Sequence, residues 1–278
     1  MEETILEVVR PWKDYAIRYA MFDFDGTISL IRQGWQDIMI PYFVEVVKET
    51  GTTESDREIY ELVREFVDRL TGKQTIYQCM ALDEAVVQRG GPHRDPGLYK
   101  KEYLRRLEER IRDRKKALEL GADPEDYIVP GALRFIRLLQ QQGIACYLAS
   151  GTDEADVKYE AGLLGLQQVF GENIRGALDA ETTCAKELVI RQLLQEQNIR
   201  PNELVSFGDG YVEIQLVAEL QGLAVGVATN EETRQGINAW KRDRLISAGA
   251  NLIIPDFRQG EAILRAISRD AEKETAHD

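Results

Sequence analysis

Residues 21–29 read MFDFDGTIS, a run that sets two aspartates, Asp23 and Asp25, among bulky apolar residues and follows them with Gly26 and Thr27. An apolar run that ends in paired acids reads as a buried strand carrying charge at its end. Two such carboxylates repel unless a cation or a proton lies between them, so the stretch raises a metal-site or catalytic question. Three more polar clusters stand at the ends of apolar runs or the start of a helix. They are Ser150-Gly151-Thr152 behind residues 144–149, Lys186 ahead of LVIRQLL, and Gly208-Asp209-Gly210-Tyr211-Val212-Glu213 behind LVSF. Singly, each has an ordinary structural use: carboxylates cap helices, Ser-Gly-Thr and Gly-Asp-Gly make turns, and a lysine sits on a surface. Together and in this order they are far more specific.

The chemistry they describe is phosphoryl transfer. Asp23, Asp209 and Glu213 offer hard oxygen donors of the kind that suits Mg²⁺, an ion that bridges carboxylate to phosphate oxygen. A carboxylate set against a phosphoryl group can act as nucleophile, and the resulting aspartyl phosphate splits a difficult hydrolysis into two steps. Backbone N–H groups around Gly26-Thr27, the Ser150-Gly151 turn with its hydroxyl, and the Lys186 ammonium are candidates to hold the transferred oxygens. Asp25 is the candidate to protonate the leaving oxygen and then activate water. Lys158, in DEADVKYEAG, rivals Lys186, but reads as an exposed lysine on the helix after Ser150.

The elements that must position these residues are legible as texture. Residues 17–22 read as a strand, followed by a succession of helix patterns: one through Trp35 and Val46, one from Ile59 to Leu70, one from about Ile76 to Arg89, and one from Pro96 to Gly121 with Asp95 as N-cap. From Val129-Pro130-Gly131 onward, short apolar strands alternate with helices. Strands are expected at 144–149, near Val169-Phe170, and at 204–207, 223–227 and 251–254. This pattern indicates an α/β fold, a Rossmann-like doubly wound parallel sheet with an inserted all-helical segment. Ligands of such sheets bind beyond the carboxyl ends of the strands, where the four clusters fall. The many basic residues of the 96–121 helix read as a solvated face, because Glu102 and Arg106, and Glu108 and Arg112, are spaced for i,i+4 pairs.

Composition narrows the partners. With 35 basic and 48 acidic residues the net charge is −13, which opposes nonspecific binding to nucleic acid or to an anionic membrane. An anionic substrate therefore needs a specific pocket. Only two histidines occur, His93 and His277, so carboxylate chemistry takes precedence over a His-based triad or a His-ligated metal. Cys79, Cys146 and Cys184 are widely spaced and read as buried free thiols. The acidic start and the absence of a long apolar run point to a cytoplasmic chain.

The order DFDGT, SGT, a lysine and GDGxxxE resembles the haloacid dehalogenase superfamily of phosphohydrolases. VPGALRFIRLLQQQGI is similar to the helix leading to that family's second motif, so the resemblance covers nearly the whole chain. The helical insertion between the first and second motifs is similar to the cap subclass of phosphoglycolate phosphatase and β-phosphoglucomutase. The resemblance implies a core formed by 1–29 and 128–270, a cap over 30–127, and a polar tail over 271–278. It makes Asp23 nucleophile and Mg²⁺ ligand, and Asp25 acid/base and a ligand through its carbonyl. It makes Ser150 and Lys186 phosphate binders, Asp209 a further ligand, and Glu213 a supporting carboxylate bound directly or through water. Glu213 stands where Asp is commoner, and no proline follows Lys186. Asp25 favours phosphoryl chemistry over dehalogenation, which has no alkoxide leaving group needing a proton.

The expected activity is hydrolysis of a small phosphorylated metabolite, a sugar phosphate or phosphoglycolate-like ester, with Arg32 and Lys73 as substrate contacts on the lid and Trp35, Gln74 and His93-Arg94 as further lid candidates. A phosphomutase using the same residues is the alternative within this chemistry. A phosphoaspartate switch without turnover is the alternative outside it. Oligomeric state stays open, a homodimer being compatible.

Overall fold

Alternation within short apolar runs builds the centre of the molecule. In the computed structural model, which describes residues 6–178, 185–196 and 199–268, the strands are β1 (Glu7–Val8), β2 (Tyr19–Phe22), β3 (Ala145–Asp153), β4 (Ile174–Ala177), β5 (Leu204–Gly208), β6 (Leu223–Val227) and β7 (Leu252–Ile254). They form one sheet in the order β1-β7-β6-β5-β2-β3-β4. Every neighbouring pair is parallel except β1 with β7. The helices are α1 (Gln36–Lys48), α2 (Asp56–Arg69), α3 (Thr75–Gln88), α4 (Pro96–Glu119), α5 (Ala132–Gln141), α6 (Glu154–Leu163), α7 (Gln167–Phe170), α8 (Ala185–Glu196), α9 (Tyr211–Glu219), α10 (Ala239–Ala248) and α11 (Gly260–Ile267).

Both faces of the sheet are covered. Ala20, Phe22, Val205, Phe207, Val225 and Ile254 join a cluster with Phe135 of α5 and Ile263 of α11. Met21, Leu204, Ala224 and Ile253, one residue out of step, join a second cluster with Ile190 of α8, Ile214 of α9 and Leu245 of α10. Period-two side-chain direction thus divides each strand between two cores. The first is fixed by aromatic contacts: Phe22 stacks on Phe207 at 4.8 Å between ring centroids, and Phe135 stacks on Phe257 at 5.3 Å.

Two local expectations are corrected. Val169-Phe170 is not a strand but the end of α7, since both N–H groups donate back to the Leu166 carbonyl at 3.0 Å. The strand begins at Ile174. A two-residue apolar run is too short for its period to separate the two states. On α4, Glu102 pairs with Arg106 as expected, but Glu108 pairs with Lys115 and not with Arg112. Cys79 and Cys146 are free and buried, and burial pushes both thiols up to about 12. Cys184 and His277 lie outside the described residues.

Helices α1–α4 form the cap inserted between β2 and β3. Ser55 opens α2 with a capping box to Glu58, and Asp95 opens α4 by accepting from the Gly97 N–H, with Pro96 in the first turn. The two linkers to the cap run side by side: Leu30 N–H donates to Tyr127 O and Val129 N–H to Ile28 O, each at 2.8 Å. Arg114 of α4 clamps the first linker by donating to the carbonyls of Ile31 and Gln33 at 2.7 and 2.9 Å. Lys100 of α4 pairs with Asp153 of β3 at 2.7 Å, and Arg244 of α10 donates to the Asp68 carbonyl of α2 at 2.5 Å. The cap is therefore tied to both sides of the core. No helix among the described residues is long and apolar enough to cross a membrane.

Truncating a ring at the centre of the larger cluster leaves a cavity that rigid strands cannot collapse. Phe207→Ala should lower unfolding stability by about 3–5 kcal/mol, read as a lower urea midpoint at unchanged slope.

Candidate active site

Adjacent parallel strands that end at one level deliver their following residues to one place. β2 lies between β3 and β5, so Asp23 follows Phe22 onto the end of the sheet between Ser150 of β3 and Asp209 after β5. Asp23, Asp25, Ser150, Gly151, Thr152, Lys186 and Asp209 line one cavity of about 100 Å³. At about 10–15 Å³ of such volume per water, it has room for a handful of water-sized bodies. The cap supplies the opposite wall through Trp35, Met39, the turn Thr71-Gly72-Lys73, Gln78 and Tyr103.

Lys186 is the cation of the floor. Its ammonium lies 2.9 Å from Asp23 and 2.7 Å from Glu213 and is almost wholly buried. Lys158, its rival in sequence, pairs with Glu154 one turn away on α6 and is exposed. Glu213 has both oxygens engaged. Oε2 holds Lys186, while Oε1 accepts the Gly210 N–H at 2.8 Å, as a glutamate at the third position of a helix does. Expected among the metal ligands, Glu213 is thus bonded first of all as the support of Lys186.

Asp25 faces β3. The Thr152 hydroxyl donates to its Oδ2 at 2.7 Å, and the Ser150 hydroxyl lies 3.5 Å from the same oxygen. Its Oδ1 is buried without a hydrogen-bond partner among the described residues, with the Arg32 guanidinium 3.9 Å away. Burial pushes the carboxyls of Asp23 and Asp25 above the usual carboxylate range. Lys186 opposes this at Asp23 while Glu213 and Asp209 reinforce it, and Arg32 opposes it at Asp25.

Three expected roles are revised. The N–H groups of Gly26 and Thr27 are spent within the turn, on Ser29 O and Phe24 O, so neither is available to a phosphate. The two residues serve Asp209 instead: the Thr27 hydroxyl accepts its N–H at 2.9 Å, and Gly26, at φ +76°, leaves room for its carboxylate. A Cβ on Gly26 would sit 2.2 Å from Asp209 Oδ2. Among the described residues, no hydrogen bond occupies the N–H of Phe24 or Asp25. Arg32 borders the cavity, but its charge is consumed by Glu160 at 2.8 Å and Asp156 at 3.1 Å, so it ties the first linker to α6. His93 pairs with Asp83 within the cap and does not line the cavity.

Lys73 does reach the site, by its backbone. A Cβ on Gly151 would lie 2.8 Å from the Lys73 carbonyl, and Gly72, at φ +94°, sits over Gly210. The two glycines let the cap turn press onto the floor. The Lys73 ammonium points along α3, 5.8 Å from the Tyr77 ring.

Asp23, Asp209 and Glu213 each place a carboxylate oxygen within 4.8 Å of the others. This all-oxygen donor set, with like charge raising the Asp23 carboxyl, suits a hard divalent cation. Lys241 of α10, which no motif signals, lies 2.6 Å from Asp209 and also pairs with Glu231. Burial presses its proton affinity down, but the two carboxylates outweigh that and raise it, so it stays charged.

The comparisons accord with this arrangement. A family model for haloacid dehalogenase-like hydrolases matches residues 17–221, and the chain belongs to that family. Among solved structures, a β-phosphoglucomutase from Clostridium difficile is similar over 91% of this chain and 97% of its own, with a TM-score of 0.60 at 15% identity. A predicted phosphoglycolate phosphatase from Haemophilus somnus is similar over 89% and 98%, with 0.58 at 13%. A family hydrolase from Deinococcus radiodurans, solved with bound phosphate and sodium, is similar over 91% and 97%, with 0.53 at 16%. At these identities the likeness is one of fold. No curated protein matches the chain.

A carboxyl raised by burial and like charge favours the folded state while protonated, and that contribution fades as pH rises through the raised value. A divalent ion bound by these carboxylates would take the proton's place. Excess Mg²⁺, at about 100 times its Kd, should stabilise the protein by about 2.7 kcal/mol. The gain in melting temperature should be larger at about pH 7.5 than at about pH 5.5 and small in Asp209→Asn.

Proposed function

We propose that this protein is a Mg²⁺-dependent phosphatase that hydrolyses a small phosphate monoester, of the size of a sugar phosphate or phosphoglycolate, through an aspartyl phosphate on Asp23. The reading rests on one observation above others: a buried carboxylate, a second acid two residues on, a hydroxyl and an ammonium share one small cavity. The solved relative with bound phosphate supports the ligand class.

In the first step an Asp23 oxygen attacks phosphorus while the bond to the leaving oxygen breaks, and protonated Asp25 gives that oxygen its proton. Burial raises the carboxyl of Asp25, which favours its protonated form, the form a proton donor needs. In the second step Asp25, now ionised, takes a proton from a water that attacks phosphorus, freeing Asp23 and phosphate. Lys186, the Ser150 hydroxyl and the amides of Phe24 and Asp25 hold the phosphoryl oxygens as charge redistributes. Glu213 keeps Lys186 in place. Mg²⁺, held by Asp23 and Asp209, would supply further positive charge against those oxygens. The turn Thr71-Gly72-Lys73 shuts bulk water out, and Trp35, Met39 and Tyr103 face the leaving group. The wall they form suits a compact metabolite, not a polymer, and a cytoplasmic setting fits such a substrate.

A panel of small phosphate esters, assayed for phosphate release with Mg²⁺ or EDTA, tests this. Release should require the metal, vanish in a folded Asp23→Asn protein, and fall by about 10²–10⁴-fold in Asp25→Asn. Near-normal turnover by folded Asp23→Asn would sink the mechanism. Phosphoryl exchange without release would transfer the reading to a phosphomutase.

A further inference from the structure

Lys241 is an odd residue to find where it stands. It occupies the third position of α10, whose N-cap is Asn238, and the positive end of a helix disfavours a cation there. It is also buried, which costs an ammonium its hydration. Asn238 already caps the helix by accepting the Lys241 N–H at 3.1 Å, so α10 has no need of the charge to begin. What the side chain does is reach across to Asp209, 32 residues back in sequence, and to Glu231 in the loop after β6.

The consequence for Asp209 is specific. Its carboxylate stands on a glycine, with no side chain at Gly26 to brace it. The Thr27 hydroxyl holds its backbone and lies 3.4 Å from Oδ1, while Lys241 holds Oδ2 at 2.6 Å. Lys241 is thus its short charged contact, and the side chain has few other means of keeping one orientation. A bare ammonium so placed would repel a divalent ion. Glu231 offsets that charge, so the pair orients the acid while adding little net charge to the cavity. Arg244, one turn further along α10, donates to the Asp68 carbonyl of the cap and stacks over Trp240 at 4.4 Å, which braces the helix that carries Lys241.

We propose that Lys241, balanced by Glu231, is a positioning residue of the metal centre, holding Asp209 in the orientation that binds the divalent ion. The inference rests on the metal-dependent reading of the site. It assigns a role to a lysine outside the four motif clusters and does not place it in contact with the reacting atoms. Outer partners of this kind typically contribute a factor of about 10–100 to metal affinity.

The test is the Kd for Mn²⁺, measured by electron paramagnetic resonance on substrate-free protein, so that turnover plays no part. Lys241→Met, which fills the same space without charge, should weaken Mn²⁺ binding by about 10–100-fold while keeping a cooperative thermal transition. Lys241→Arg, which keeps charge and donors, should recover part of the loss. Folded Lys241→Met that binds Mn²⁺ as tightly as wild type, or more tightly, would overturn the inference. If Lys241→Met does not fold, Glu231→Gln carries the test: it leaves the ammonium uncompensated and should also weaken binding, and unchanged affinity would overturn the inference. Wild-type protein that binds no Mn²⁺ would overturn the metal-dependent reading itself, a result distinct from equal binding by wild type and variant.

Discussion

Carboxylates crowded at the end of a parallel sheet repel, and the rest of this site is arranged around that repulsion. Asp23, Asp25, Asp209 and Glu213 converge where β2 and β5 end, under a cap that removes much of the water that would otherwise screen them. Three buried or nearly buried cations answer them, each by a different route. Lys186 stands between Asp23 and Glu213, Arg32 lies near Asp25 but is bound to Glu160, and Lys241 is shared by Asp209 and Glu231. Burying such charges stabilises little on its own and is costly when any partner is lost. Asp23 stays raised in spite of Lys186. The resident cations thus leave a shortfall of positive charge at Asp23, the residue a metal ion and a phosphoryl group would meet.

The fold supplies this concentration at low conformational cost. β2 is short, and its neighbours on both sides are parallel to it, so three loops from distant parts of the chain meet without long excursions. Glycines make the close approaches: Gly26 admits Asp209, and Gly151 admits the Lys73 carbonyl of the cap. The cap shares the larger apolar cluster with the core, since Phe43, Leu107 and Ile111 belong to it together with Phe22, Val157 and Ala161, and ion pairs and backbone contacts around the cavity add to that contact. Lys100 meets Asp153 beside the β3 hydroxyls, Arg32 meets Glu160 on α6, and Arg244 meets α2 from α10.

Much of this was legible in the sequence because the strands are apolar, short and followed by punctuation. DFDGT and GDGYVE stand at the ends of apolar strands, SGT falls in the last part of β3, and Lys186 lies in the first turn of a helix. Sequence order alone therefore named the floor of the cavity. Less legible were features set by side-chain direction across long separations. Nothing in NAWKRDRL distinguishes Lys241, which is buried on Asp209, from the less buried Arg242 and Arg244 beside it. Arg32 was visible as a charged residue at the hinge, but its partner Glu160 lies 128 residues away, and only the packing of α6 shows that its charge is spent. Gly26 and Thr27 were recognised as special, but for the wrong group: their N–H bonds close a turn, while the side chain of one and its absence in the other serve Asp209. Val169-Phe170 failed for a local reason, a run too short for period to decide.

Every role proposed for this cavity depends on Asp23 carrying the phosphoryl group. Quenching the protein during turnover of a small phosphate ester, then mapping its peptides by mass spectrometry, tests this most directly. One added phosphoryl group is expected on the peptide containing Asp23, labile to hydroxylamine as an acyl phosphate is. A phosphoryl group found on Ser150 or elsewhere, or steady turnover with none on Asp23 under conditions that trap acyl phosphates, would contradict it.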